Sequence, residues 1–101
     1  MSSENFYDYR TLSGSRNFAD LPETVSFEKL REISAKLNGA IETDFLTDWV
    51  TEVRLDFTYR GEKFSINNQM GDYWFFVDNP YCADEILLEV FEHFRKFLVK
   101  N

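Results

Sequence analysis

The sequence predicts an α+β protein of two layers, a two-layer sandwich with helices on one side of an antiparallel sheet. Three observations carry that expectation. Apolar residues recur at helical spacing near residues 27–37 and again near 86–98, whereas over 41–59 they alternate with polar ones. Turn signals at Arg60-Gly61 and between Asn67 and Asp72 join the later runs closely enough for hairpins and too closely for crossover helices. The expected order is an N-terminal aromatic arm over residues 1–22, then a single domain over 23–101 made of a helix, a four-stranded antiparallel meander and a C-terminal helix.

The arm holds Phe6, Tyr7, Tyr9, Leu12 and Phe18 around Ser13-Gly14-Ser15 and closes at Leu21-Pro22. So many large apolar groups are out of place in a solvated tail, so the arm is expected to pack on the body as an irregular segment. Within it a short strand or turn is expected near Phe6 to Arg10. From Glu23 to Leu37, Phe27, Leu30, Ile33, Ser34 and Leu37 share one helical face, with Glu28, Arg31, Glu32 and Lys36 on or beside the other. Pro22 near the first turn and Asn38-Gly39 as a stop signal frame this first helix.

Period two then takes over. Ile41, Thr43 and Phe45 alternate with Glu42 and Asp44; after a break at Thr47-Asp48, Trp49, Thr51, Val53, Leu55, Phe57 and Tyr59 alternate with charged and polar residues. A two-residue turn at Arg60-Gly61 sets Phe57 opposite Phe64 and Leu55 opposite Ile66, while a slip by one would pair Phe57 with Ser65. The hydrophobic pattern selects the first register. In the next strand, Tyr73-Trp74-Phe75-Phe76-Val77, both faces are apolar: Tyr73, Phe75 and Val77 point one way, Trp74 and Phe76 the other, beside Ser65 and Asn67. Helices can cover only one of these faces. Asp78-Asn79-Pro80 ends the strand, and from Cys82 or Ala83 to Val99 a helix presents Ile86, Leu87, Val90, Phe91, Phe94, Phe97 and Leu98 as a stripe about 140° wide. Asp84 and Glu85 at its start and Arg95, Lys96 and Lys100 toward its end suit the helix dipole.

Composition narrows the function classes. At 101 residues and 44% hydrophobic, the chain suits one self-sufficient core. Eighteen acids against eleven bases give a net charge of −7, which argues against binding nucleic-acid phosphate or an anionic membrane. Stacking of single-stranded nucleic acid on Tyr73, Trp74 and Phe76 is opposed by Asp72 and Asp78, which bracket them. No Lys or Arg lies between Lys63 and Arg95, an interval containing Asp72, Asp78, Asp84, Glu85, Glu89 and Glu92. One acidic side, suited to a basic partner, is expected. A single cysteine fits a reducing, cytoplasmic setting. Met1 to Asn5 lack the basic and apolar regions of a signal peptide and the longest apolar run, Tyr73 to Val77, is far short of a membrane span, so a soluble chain is expected.

Catalytic machinery is thin. One Cys and one His cannot supply a zinc site, and along one helix Cys82 and His93 would stand about 16 Å apart. His93 is expected as a flanking residue in contact with Glu89 one turn before it, and Cys82 as a small buried or half-buried residue. Phosphate-binding, dinucleotide, calcium-loop and nucleophile-elbow patterns do not occur, and no cofactor is called for.

The expectation is a non-enzymatic acidic interaction domain of the inhibitor or immunity type, binding a basic protein or a second copy of itself. Trp49, Tyr73, Trp74 and Phe76 are the contact candidates, with Asp72, Asp78 and Glu89 as a charged rim. The competing expectation is a small-ligand binder or minor enzyme with a pocket between helices and sheet, lined by Phe57, Phe64, Phe75, Phe91 and Phe94.

Overall fold

A computed structural model of the chain describes residues 5–48, 52–69 and 71–99. Eight elements follow in the order β1 (Asn5–Arg10), β2 (Arg16–Leu21), α1 (Phe27–Ala35), β3 (Ile41–Thr47), β4 (Val53–Tyr59), β5 (Glu62–Asn67), β6 (Tyr73–Val77) and α2 (Asp84–Leu98). The α+β class is as expected. The sheet, however, has six antiparallel strands in the order β1-β2-β6-β5-β4-β3, not four. The meander of β3 to β6 is present, extended by a hairpin built from the segment expected to be an irregular arm.

That hairpin turns at Ser13-Gly14-Ser15, where the Thr11 N–H donates to the Ser15 carbonyl at 2.9 Å and Gly14 takes a φ of 96° that suits glycine. β2 then inserts beside β6 and is buried along its whole length, including Arg16, Asn17 and Asp20. With both faces covered, an Arg-Asn-Phe-Ala-Asp-Leu segment shows no alternation, so it leaves no strand signature in sequence.

α1 is shorter than the expected 23–37. It starts at Ser26, whose Oγ accepts the Lys29 N–H at 3.2 Å, so Pro22 lies before the helix, buried at the end of β2. β4 and β5 pair as the parity argument requires, Phe57 with Phe64 and Leu55 with Ile66. Their turn residues Arg60 and Gly61 both have positive φ, 51° and 81°, the conformation that matches strand twist in a two-residue hairpin.

Both helices lie on the same side of the sheet: α2 packs on β2, while α1 packs on α2, β3 and β4. Between the layers sit Phe18, Leu30, Ile33, Leu55, Phe57, Phe64, Ile66, Tyr73, Phe75, Leu87, Val90 and Phe94, all buried. The rings interlock. Phe57 stacks on Phe64 at 5.3 Å, and Phe75 meets Phe94 edge-on at 5.0 Å. Phe18, from the N-terminal hairpin, touches Phe6, Phe64 and Phe75. At one end of the hairpin, the buried Arg16 donates to the Tyr7 carbonyl at 3.1 Å and pairs with Asp84 of α2 at 3.1 Å. Its Nε stands 3.2 Å from Asp8 in an ion pair without hydrogen-bond alignment.

Among the described residues no helix is long and apolar enough to cross a membrane.

Candidate interaction surface

The pairing registers define which side chains share the face that the helices leave open. One row crosses all six strands as Asp44 (β3), Asp56 (β4), Ser65 (β5), Phe76 (β6), Asn17 (β2) and Tyr9 (β1). A second runs beside it as Leu46, Arg54, Asn67, Trp74 and Asp20. A third begins Ile41, Thr58, Lys63. The opposite rows, such as Phe45, Leu55, Ile66, Phe75, Ala19 and Phe6, face the helices.

The open face is concave. A depression of about 930 Å³ runs between the β1–β2 turn at Ser13 to Ser15 and Thr43 on β3, floored by Arg54, Asp56, Thr58, Lys63, Ser65, Asn67 and Phe76, with Asp78 at its side. Phe76 is half-buried there, and Trp74, half-buried on the same face, stands in the neighbouring row between Asn67 and Asp20. Arg54 Nε lies 3.1 Å from Asp56. Asp44, directly across from Asp56, has no ion pair among the described residues; its Oδ1 accepts the Phe45 N–H at 2.9 Å.

On the β2 side the polar groups are enclosed. The Asn17 amide donates to the Phe75 carbonyl at 2.8 Å and to that of Ala19 at 3.3 Å, tying off the bulge where the β2–β6 register shifts. Its Oδ1 and the Trp74 indole N–H are buried without a hydrogen-bond partner among the described residues. The Tyr7 hydroxyl donates to Asp20 at 3.4 Å, and burial first, then the Asp20 charge, hold the phenol well above its usual range.

The contact candidates named from sequence therefore separate. Trp74 and Phe76 share the open face, and Asp78 flanks it. Asp72 is half-buried just before β6, close enough to Tyr7 for its charge to disfavour the phenolate. Tyr73 is not on the surface: it is fully buried, and its hydroxyl donates to the Val25 carbonyl at 2.7 Å, so the polar tip that suggested contact is satisfied inside. Glu89 belongs to the helix layer, where it accepts from the Tyr59 hydroxyl at 2.8 Å and from Arg60 at 3.0 Å, tying the β4–β5 turn to α2. Trp49 lies outside the described residues. The base-free interval is thus not one acidic side, since β6 and α2 occupy different layers. The acids Glu92 and Asp84 of α2 also meet Arg95 and Arg16.

Asp44, Arg54, Asp56 and Lys63 were not singled out from sequence, although the parity of β4 and β5 places all but Asp44 opposite the core-facing residues. Asn17, Asp20 and Tyr7 had no such signal, because they depend on the pairing of a strand that sequence does not reveal.

The remaining chemistry-bearing groups are structural. His93 is buried, not flanking: its Nε2 lies 2.7 Å from the Ile33 carbonyl, joining α2 to α1, with Phe94 and Phe97 edge-on to the ring. Cys82 is buried, and desolvation pushes its thiol up to about 11. No group of three or more His, Cys, Asp or Glu is placed to hold a metal among the described residues. The region between helices and sheet that a ligand pocket would need is filled by contacts of Phe57, Phe64, Phe75 and Phe94.

Comparison with known proteins gives no match of this chain to a family model, a curated protein or a solved structure.

Proposed function

We propose that the protein is a non-enzymatic interaction domain of the inhibitor or immunity type, acting by binding another protein through the open face of its sheet. The observation that carries this reading is the one-sided fold: both helices cover one face, and the other keeps Trp74 and Phe76 half-exposed at the side of a broad concavity. Half-buried aromatics within a polar surround are what protein interfaces use at their centres. The setting is cytoplasmic, in keeping with one buried thiol of low reactivity. A basic partner suits the net charge of −7, which also steers such a partner in at low salt.

Co-purification from the source cell, with wild type and Trp74→Ala as bait, tests the reading. The expected result is one protein retained by wild type, rebound when both are purified, and held at least tenfold more weakly by the variant. A thermal melt of the variant accompanies the assay, so that misfolding is told apart from lost contact. Equal retention by both baits, or failure of purified partners to rebind, overturns the reading.

A further inference from the structure

We propose that the open sheet face docks a basic segment of the partner, placing a Lys or Arg side chain over Asp44 and Asp56 and an apolar neighbour on Phe76 and Trp74. The inference deepens the interaction reading and rests on it. Asp44 and Asp56 are direct cross-strand neighbours, and like charges in that position destabilise a sheet pair. Among the described residues Arg54 pairs with Asp56 and not with Asp44. Asp44 thus leaves a charge that a cation from outside would balance, next to Thr43 and Asp56, which line the concavity. Ser65 and then Phe76 follow in the same row, so charge recognition and apolar contact are neighbours along one line across the strands. Beyond them, the Trp74 N–H and Asn17 Oδ1 are enclosed without a hydrogen-bond partner among the described residues.

A second copy is a poor occupant of this face. Two-fold packing of the face on itself would bring together two chains that each carry −7. An extended or helical segment bearing Lys or Arg beside aliphatic or aromatic residues has the complementary chemistry.

The probe is a random peptide library displayed on phage and selected on the purified full chain. Recovered peptides are then synthesised and titrated against the labelled protein by NMR. The expected outcome is enrichment of Lys or Arg next to an apolar residue, with shifts at the amides of Asp44, Asp56, Ser65 and Phe76. Affinity should fall at least tenfold in the Asp44→Asn, Asp56→Asn double variant, which removes repulsion and so keeps the fold, and should fall with added salt. Phe76→Ala should weaken the same peptides.

Recovery of no peptides, or of peptides lacking Lys and Arg, overturns the proposal. So do unchanged affinity in the double variant and shifts confined to α1 and α2. Concentration-dependent dimerisation that shifts the same amides would assign the face to a second copy and equally overturn it. In each of these cases the interaction reading still stands on the co-purified partner, and it falls only if that complex does not form.

Discussion

On a helical wheel His93 stands one turn from Glu89, and that spacing alone predicts a surface pair. The fold separates them. Glu89 is captured by Arg60 and Tyr59 from the β4–β5 turn, and His93 turns inward to the Ile33 carbonyl in the last turn of α1, which also accepts the Lys36 N–H. Burial holds the imidazole below its usual value of about 6.5, with Lys36 and Lys96 pressing in the same direction and the bond to Ile33 opposing them. Because the folded state resists a proton that the unfolded chain accepts, the stability His93 contributes is intact above pH 6.5 and is lost as the pH falls below it. Urea midpoints measured from pH 8 to pH 5 should decline across that interval, and His93→Gln should flatten this part of the profile. A wild-type midpoint that holds steady down to pH 5 would contradict the buried, neutral ring. Tyr73 teaches the same lesson: strand parity correctly places it with Phe75 and Val77, but the carbonyl of Val25 that satisfies its hydroxyl comes from the segment before α1.

At the scale of elements, legibility followed exposure. The β4–β5 hairpin was readable because each strand has one wet face and the turn sequence admits positive φ. Gly61 has open space around the position of a Cβ, so Gly61→Ala should cost only the left-handed backbone, about 1–2 kcal/mol, with register unchanged. Chemical denaturation checks this, and no loss of stability would show that the turn is not held at φ 81°. β2 was illegible for the opposite reason. Covered on both faces and carrying Arg16, Asn17 and Asp20, it has polar groups whose partners, the Tyr7 carbonyl, the Phe75 carbonyl and Asp84, come from three other elements.

For the molecule as a whole, the N-terminal hairpin is part of the sheet and of the core rather than a cover laid over it. Phe18 makes this testable: fully buried among Phe6, Phe64 and Phe75, it should cost about 3–5 kcal/mol when replaced by Ala, enough to threaten folding of a domain this size. Equilibrium unfolding measures it, and a loss below about 1 kcal/mol, the scale of an ordinary substitution, would restore a loosely attached arm. The same hairpin extends the sheet beyond Trp74 and Phe76, where its outer strand β1 adds Tyr7 and Tyr9 while Asn17 and Asp20 of β2 stay enclosed.

By itself the sequence determined the class, both helices, the register of β4 on β5 and the two-sided character of β6, because these follow from local periodicity and turn chemistry. Only the tertiary structure decided that residues 16–21 are a strand, that Tyr73 and His93 are interior, and that the acidic stretch from Asp72 to Glu92 divides between two layers. Each of those depends on a partner far away in the chain: a carbonyl, a neighbouring strand or an arginine. Periodicity reports which side chains share a face, but not what that face meets.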